Sequence, residues 1–358
     1  MYERKIHSLL IGSKTLVYNI VGEYTKNRGS ISMNSLTKNH QKEENIIKMV
    51  ENAFEHLEAI KVTELKEGFF NVAYLIKLSD EREVILKIAP PQNAIIMSYE
   101  KNLMWAEVKS MRLIKEKTTV PIPDILFYSA EHNTNTYNLC DSDYFFMTKL
   151  EGLNYNSIKT SLTEQERYQI GHELGQYNRQ FNEIEGNNFG YYAFAKDNSG
   201  DWKTVFQKMI KEVLQDGIAK NTDIGIDYEI LWNQIEAKLY TLESVKTPKF
   251  VHWDLWDGNV FIKDGHVEGI IDFERAIWGD PLMEVVFRSF NIIEQQKSFL
   301  DGYGEIEQNQ DAKIRCILYD IYLYLIMIIE CDYRQYTDNG QYNWAKNMLV
   351  DAVEGLRH

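Results

Sequence analysis

One segment of this 358-residue chain constrains its fold and chemistry more than any other. It contains His252, Asp254 and Asn259 in the spacing H-x-D-x-x-x-x-N, followed by Asp272. Two short apolar runs surround a Lys-Asp-Gly turn within residues 260–271, so we predict a β-hairpin that returns Asp272 to the side of Asn259. Phosphoryl transfer needs a carboxylate near the attacking hydroxyl and oxygen ligands for Mg²⁺. The segment therefore predicts a site that could hold both.

The hydrophobic period changes near residue 150, and the change divides the chain into two parts. Residues 41–148 combine helical spacing with short runs rich in Val, Ile, Phe and Tyr, which predict antiparallel strands. Residues 149–358 show mostly helical spacing. We therefore predict an α+β fold with a small antiparallel β lobe that carries one long helix, and a larger, mainly helical lobe. The predicted helices are residues 43–57, 97–117, 162–183, 202–216 and 228–244, and the predicted strands of the small lobe are 59–65, 69–78, 83–89, 125–130 and 144–149.

Taken together, the motifs H-x-D-x-x-x-x-N, I-D-F-E and G-D-P-L resemble those of the aminoglycoside phosphotransferase-like small-molecule kinases. The resemblance implies a two-lobed, protein-kinase-like fold that binds Mg²⁺ and either ATP or GTP between its lobes. It implies that Asp254 is the catalytic base or the group that orients the substrate hydroxyl. By the same resemblance Asn259 and Asp272 would bind Mg²⁺, while His252 and Asp280 would have structural roles.

One position departs from the pattern of this family. Trp253 stands between His252 and Asp254, where the family usually has glycine. The indole could narrow the substrate cleft or pack away from it. The resemblance therefore leaves the identity of the acceptor open.

The small lobe offers the lysine that this fold needs. Lys87 ends the run V-I-L-K inside an apolar strand, where an unpaired ammonium group would be costly. Such a lysine holds the nucleotide phosphates and pairs with a glutamate on the following helix. We pair Lys87 with Glu107, twenty residues further on, and keep Glu100 on the same helix as the alternative partner.

The rest of the nucleotide site is expected in two connecting segments. The turn between the first two strands is expected to cover the phosphates, although a plain hairpin turn is the alternative; its candidate residues are Gly68, Phe70 and Asn71. Adenine is expected to bind backbone groups of the connector between the lobes. The connector residues are Met147, Thr148, Lys149 and Leu150.

The charge balance bears on the acceptor. A formal net charge of −14 excludes nucleic acid as the main partner and favours a cationic small molecule. The chain runs from Asp272 to Asp280-Pro281 without a long activation loop or A-P-E segment, which also favours a small acceptor. An amino-bearing alcohol comes first, with an aminoglycoside ahead of choline, ethanolamine, amino-sugar, homoserine and macrolide acceptors; a non-catalytic nucleotide-binding pseudokinase is the other alternative. Candidate substrate residues are Glu274, Asp320, Glu330 and Asp332, the last three of which could equally be solvated helix ends.

The N-terminal residues 1–40 form a basic arm, with six basic residues against two acidic ones. The arm could contact a membrane or a partner, or it could be a solvated extension. The longest apolar run, 321–329, is too short to span a bilayer, and three cysteines are too few for a disulfide framework. We therefore expect a cytoplasmic enzyme without a membrane partner, and the sequence leaves its oligomeric state open.

Overall fold

The computed structural model describes residues 37–66, 68, 70–131, 139–287 and 293–357. Residues 1–36, most of the predicted arm, lie outside the described residues. The predicted architecture is confirmed: a small lobe with an antiparallel sheet precedes a larger, mainly helical lobe.

The small lobe is built on one five-stranded antiparallel sheet in the order β1-β2-β3-β5-β4. Strand β2 alternates buried and half-buried side chains, as expected for a strand with one face on the core. Helix α1 packs its apolar side chains against this sheet, and α2 lies between β3 and β4 in the chain. The elements are α1 (Glu43–Ala53), β1 (Ala59–Leu65), β2 (Val72–Leu78), β3 (Glu83–Ile88), α2 (Leu103–Lys117), β4 (Ile125–Tyr128) and β5 (Tyr144–Thr148).

The helix predicted from residue 97 starts later than expected. A separate 3₁₀ turn covers Ser98–Glu100, and Asn102 adopts a left-handed φ of 57° before α2 begins at Leu103. The Glu100 carboxylate accepts the backbone N–H of Met97 at 2.8 Å, which closes the turn on itself. Glu100 is thereby removed from the face of α2.

The large lobe consists of helices around two small three-stranded sheets, ordered β10-β9-β6 and β7-β11-β8. Side-chain caps begin several helices, including a capping box of Thr163 with Glu166 at α4. The helix predicted over 228–244 ends at Glu236 and gives way to a 3₁₀ segment. The elements are β6 (Leu153–Asn154), α3 (Tyr155–Ile158), α4 (Glu164–Glu183), β7 (Gly190–Tyr191), α5 (Trp202–Lys220), α6 (Tyr228–Glu236), β8 (Lys249–Val251), β9 (Val260–Lys263), β10 (His266–Ile270), β11 (Ile277–Gly279), α7 (Ile293–Tyr303), α8 (Gln310–Arg334) and α9 (Gly340–Gly355).

Among the residues that the structure describes, three clusters of buried apolar side chains form the core. One fills the small lobe beneath its sheet, and one lies among the helices of the large lobe around α5 and α8. The third joins residues of α2, β5 and the hairpin β9–β10, and so connects the two lobes. Within the described part of the chain, no helix has both the length and the apolar character required to cross a membrane.

Candidate active site between the two lobes

The loop after β8 is organised around the imidazole of His252. His252 is fully buried, and its Nδ1 accepts the backbone N–H of Asp254 at 3.2 Å. Its Nε2 then carries the proton and donates to the carbonyl of Ile271 at 3.1 Å. Burial lowers the pKa of His252 to about 4, so the ring is neutral near pH 7. A neutral imidazole thus ties the Asp254 loop to the residue just before Asp272.

The predicted hairpin brings Asn259 and Asp272 together. Strands β9 and β10 pair antiparallel, and the backbone N–H of Ile271 donates to the Asn259 carbonyl at 3.0 Å. The Asn259 amide donates through Nδ2 to the Asp254 carbonyl at 2.8 Å and lies 3.4 Å from its Oδ2. Both contacts are made by the amide nitrogen of Asn259. The amide oxygen, which is the atom that a cation would bind, takes no part in them. The three polar residues of the motif therefore form one connected unit.

Trp253 occupies a backbone conformation that explains why glycine suits this position. Its φ is 66°, in the left-handed region, which costs a residue with a side chain about 1–2 kcal/mol. The indole is buried and stacks on Tyr322 of α8 at 5.6 Å between ring centroids, with Tyr191 edge-on at 5.9 Å. The side chain therefore packs inward, into the core of the large lobe, where aromatic contacts offset the backbone strain.

Glu284, which was not among the residues predicted from the sequence, binds the backbone of the same loop. Its buried carboxylate accepts the backbone N–H groups of His252 at 2.9 Å and Trp253 at 3.1 Å. Burial raises the pKa of Glu284, although these hydrogen bonds oppose the shift. The residue lies shortly after the G-D-P-L motif, and its place in that short segment was the only signal that could have pointed to it.

Lys87 is the centre of the charge cluster on the small-lobe side of the cleft. Its Nζ lies 2.7 and 2.8 Å from the two carboxylate oxygens of Glu107 on α2, and 2.9 Å from Oδ1 of Asp272. Oε2 of Glu274 is 3.8 Å away. Glu100, the alternative partner, instead pairs with Arg334. The lysine thus joins the small lobe to the segment that carries Asp272.

The electrostatics of this cluster are set by burial and by the surplus of carboxylates. Burial alone would lower the pKa of Lys87, but Asp272, Glu107 and Glu274 outweigh it and raise that pKa well above its usual value. Burial raises the pKa of Glu107, and raises that of Glu274 to about 8. Burial also acts against ionised Asp272, yet the ammonium of Lys87 lowers its pKa. Asp272 is therefore the carboxylate of the cluster that stays ionised across the widest pH range.

The donor atoms present suit a hard divalent cation. Oxygen ligands of Glu107, Asp272 and Glu274 lie within 4.8 Å of one another, and the Asn259 carbonyl accepts the backbone N–H of Ile271, the residue before Asp272. Mg²⁺ prefers such carboxylate and carbonyl oxygens over nitrogen or sulfur ligands. The residues predicted to hold Mg²⁺ therefore fit this ion chemically.

The loop between β1 and β2 bends over the Asp272 segment. Nδ2 of Asn71 donates to Oε2 of Glu274 at 2.6 Å, and the Phe70 ring lies 5.4 Å from the guanidinium of Arg334. A Cβ at Gly68 would stand 3.2 Å from the Asn71 carbonyl, so the turn is tight there. Phe70 and Asn71 are both buried. Phe70 and Asn71, two of the residues predicted to cover the phosphates, therefore contact large-lobe residues, and Gly68 lies against Asn71.

The connector between the lobes begins with the last two residues of β5, Met147 and Thr148. Met147 is buried, and Oγ1 of Thr148 accepts the backbone N–H of Asp124 at 2.9 Å. Lys149 pairs with Glu83 at 2.8 Å, and Leu150 packs against Gly269 of β10. The segment thus spans from the small-lobe sheet to the hairpin of the large lobe, the place predicted for adenine.

The four predicted substrate residues lie in different environments. Glu274 contacts Asn71 and stands near Lys87, whereas Asp320 is buried within α8. The Glu330 carboxylate lies 3.2 Å from Arg334 and 3.4 Å from Arg275, and its other oxygen accepts from Gln341. Asp332 accepts a hydrogen bond from Thr222. Glu330 and Asp332 are therefore engaged with protein groups.

Arg275 and Arg334 are charged groups of this region that sequence reasoning missed. Arg275 follows the I-D-F-E motif, and its guanidinium lies 5.6 Å from the Tyr99 ring. Arg334 ends α8 and pairs with Glu100 at 2.6 Å across more than two hundred residues of sequence. Arg275 was within reach of the motif, but nothing in the local sequence marks Arg334.

Comparison with known proteins gives a family match. The model of a family described as "Phosphotransferase enzyme family" matches residues 61–315, more than half of the chain. The matched range includes the loop predicted to cover the phosphates, Lys87, the Asp254 loop and Asp272.

Relatives and solved structures are more distant. A subtelomeric hrmA-associated cluster protein of Aspergillus fumigatus is 27% identical over 142 residues, which is 40% of this chain and 26% of that protein. The chain thus spans about a quarter of the length of the curated relatives it matches.

The solved structures include the ternary complex of APH(2″)-IIa with streptomycin and ATP, at 16% identity and a TM-score of 0.57, covering 89% of this chain and 97% of that one. A thermostable mutant of aminoglycoside phosphotransferase APH(4)-Ia, in ternary complex with ADP and hygromycin B, is 15% identical with a TM-score of 0.60 and covers 87% and 98%. At this level of identity the similarity shows a shared fold.

Proposed function

The chain belongs to the phosphotransferase enzyme family, and from this premise we propose that it transfers the γ-phosphate of ATP or GTP to a hydroxyl group of a small molecule. One observation carries the proposal. Lys87 bonds to Asp272, Ile271 bonds to both Asn259 and His252, and Asn259 bonds to Asp254. A single chain of contacts therefore joins the side chains to which this proposal gives roles in the reaction, which supports the proposal.

In this proposal each residue has one task. Asp254 orients the acceptor hydroxyl and takes its proton as the new O–P bond forms and the bond to the nucleoside diphosphate breaks. Lys87 holds the phosphates, and Glu107 holds Lys87 in place. Asn259 and Asp272 would bind Mg²⁺, which neutralises phosphate charge when it is bound. Most of the catalysis is then positioning and charge neutralisation.

The nucleotide base would lie along residues 147–150. Backbone groups of an extended connector can bind adenine without any particular side chain, which is consistent with the ordinary sequence found there. The loop carrying Gly68, Phe70 and Asn71 would close over the phosphates. ATP is the first co-substrate to test and GTP the second.

For the acceptor we propose an amino-bearing alcohol, with an aminoglycoside first. The support is the acidic composition together with the fold that this chain shares with streptomycin- and hygromycin-binding kinases. The Glu330 carboxylate already pairs with two arginines, so it gives no specific support for binding of a substrate amine. Choline, ethanolamine, amino sugars, homoserine and macrolides therefore remain among the acceptors to be tested. The expected cytoplasmic location stays a prediction.

The mechanism is tested by replacing Asp254 with alanine. Transfer of phosphate from [γ-³²P]ATP should fall by about 10²–10⁴-fold, because a general base contributes about that much. The affinity for Mg-ATP, measured by calorimetry, should stay within about threefold of wild type because Asp254 faces the acceptor. Asp257→Asn is the matched control, since this carboxylate of the same loop pairs with Lys159. Unchanged turnover in Asp254→Ala would contradict the mechanism.

The acceptor is tested by a transfer screen over aminoglycosides, amino alcohols, sugars, homoserine and macrolides. Transfer to an aminoglycoside hydroxyl supports the first choice, and transfer to another class alone moves the assignment to that class. Tight Mg-ATP binding without transfer to any acceptor would favour the pseudokinase. If the protein binds neither Mg-ATP nor Mg-GTP, the proposal as a whole is contradicted.

A further inference from the structure

The residues just before α1 run across the small lobe on a fixed path. Nδ2 of Asn39 lies 2.9 Å from Oγ of Ser142 and 3.3 Å from the carbonyl of Ala89. The backbone N–H of Gln41 donates to the hydroxyl of Tyr74 at 3.0 Å. Thr37 and Asn39 are both buried. The last residues of the basic N-terminal arm are therefore part of the nucleotide-binding lobe.

This path places Lys38 on the phosphate-covering loop. Its Nζ donates to the backbone carbonyl of Asn71 at 2.8 Å, and a Cβ at Gly68 would stand 3.5 Å from the same nitrogen. The Asn71 side chain in turn bonds to Glu274, two residues after Asp272. The lysine thus reaches the loop from a segment that precedes the first strand of the sheet.

The charges around Lys38 are mixed. Burial lowers the pKa of Lys38 to about 8; Glu64 and Glu274 favour its charged form, whereas Lys87 and Arg334 oppose it. Three cations therefore lie near one another under or beside the loop that covers the cleft. A carbonyl group and distant carboxylates compensate a partly buried ammonium group only in part. A polyanion bound beneath the loop would complete that compensation.

We infer that Lys38 is a second lysine of the nucleotide phosphate site, which the N-terminal segment supplies to the loop carrying Asn71. This inference rests on the proposed function, because the polyanion would be the phosphate chain of ATP or GTP. Lys38 would contribute charge alongside Lys87, and its contact with the Asn71 carbonyl would hold the loop closed over the phosphates. Most of the nucleotide affinity lost without Lys38 would then come from the phosphates and not from the base.

The test compares Lys38→Met, Lys38→Gln and Lys38→Arg in the full chain, with Lys42→Met as the control. Lys42 is four residues from Lys38 and is exposed, so the Lys42→Met substitution removes the same charge from the same segment. Binding of Mg-ATP and of adenosine is measured by calorimetry, and thermal unfolding confirms that each variant is folded. The wild-type protein is measured first with Mg-ATP and with Mg-GTP, because binding of neither nucleotide would overturn the proposed function and this inference together. If only Mg-GTP binds, the variants are measured with Mg-GTP.

If Lys38 binds phosphate, the Met and Gln variants lose about tenfold in Mg-ATP affinity, the value of one charge-assisted contact of about 1.4 kcal/mol. Their adenosine affinity stays at the wild-type value, Lys38→Arg keeps most of the Mg-ATP affinity, and Lys42→Met changes neither. Two results would overturn the inference while leaving the proposed function intact. One is an unchanged Mg-ATP affinity in the Met and Gln variants, and the other is an equal loss of ATP and adenosine affinity, which would mean that Lys38 only braces the loop.

Discussion

Lys87 and Arg334 are both buried cations with two close carboxylate partners, yet they lie in different lobes and differ in what their charge can do. The Lys87 side chain keeps 14% of its surface exposed and touches Glu107 and Asp272. The Arg334 side chain is 3% exposed and pairs with Glu100 and Glu330. A cation that retains access to the cleft can serve a ligand, whereas one that is fully enclosed mainly holds elements together.

The comparison assigns each cation a different role. Arg334 anchors the end of α8 to the Ser98–Glu100 turn of the preceding lobe, and Phe70 covers its guanidinium. Lys87 instead pairs with carboxylates at the cleft, and in the proposed function nucleotide phosphates would partly take their place beside its ammonium group. We therefore expect loss of Arg334 to reduce stability and loss of Lys87 to reduce activity.

The largest expected effect is that of Arg334→Met set against Lys87→Met. Removing Arg334 leaves Glu100 and Glu330 buried without it, which should lower the free energy of unfolding by about 3–5 kcal/mol. Lys87→Met should cost less stability, because Glu107 and Glu274 already have raised pKa values and can take up protons. Its turnover should nevertheless fall by about 10²-fold or more, since a preorganised charge on the phosphates is lost.

Urea denaturation and initial rates on the same preparations measure both quantities. The two expected roles are contradicted if Arg334→Met unfolds at the same urea concentration as the wild-type protein, or if Lys87→Met is the less stable of the two variants.

A smaller effect is expected at Trp253, where the large lobe combines tight packing with backbone strain. Trp253→Gly should lower the free energy of unfolding by about 2–4 kcal/mol, since the lost aromatic packing exceeds the relief of a left-handed φ. Trp253→Ala creates a similar cavity but keeps the strain, so it should be less stable than the glycine variant by about 1 kcal/mol.

Chemical denaturation of the three proteins measures the difference. An alanine variant more stable than the glycine variant would show that the strain at this position is not significant.

The smallest effect is a pH dependence of stability that comes from the buried, titratable His252. Burial holds the folded-state pKa of His252 at about 4, below its ordinary value of 6.5, so the unfolded chain binds more protons between these values. The contribution of His252 to stability is therefore complete above pH 6.5 and is lost as the pH falls towards 4. Between pH 7.5 and 5 the loss should be about 2 kcal/mol.

His252→Asn removes this titration. The stability lost between pH 7.5 and 5 should therefore be smaller than in the wild-type protein by about 2 kcal/mol. Trp253→Gly removes no titratable group, so it should keep the wild-type slope and serves as the control. An identical slope in His252→Asn would contradict the assignment of a buried, neutral imidazole.

Much of the fold could be predicted because it depends on local signals. The strand Ala59–Leu65 has the predicted bounds, and the hairpin β9–β10 follows from two apolar runs around a turn. The predicted helix from residue 97 was wrong in its first turn. Glu100 turns away there to meet Met97 and Arg334, a contact that depends on a helix far along the chain.

The candidate site divides in the same way. The sequence by itself determined the two lobes, the Asp254 loop with Asn259, the return of Asp272, and the pairing of Lys87 with a glutamate of the next helix. The lobes and the hairpin depend on hydrophobic period and on motif spacings within neighbouring residues, whereas the pairing of Lys87 was implied by the resemblance to a kinase-like fold.

Only the tertiary structure decided that Arg334 meets Glu100, that Glu284 binds the backbone of the Asp254 loop, and that Lys38 reaches Asn71. Each of these contacts joins segments that are far apart in the chain. Many side chains of the right charge are available at such distances, and the pattern of neighbouring residues does not distinguish among them. Which pair forms is decided by how the helices and the sheet pack, because burial makes one pairing favourable and leaves the others in water.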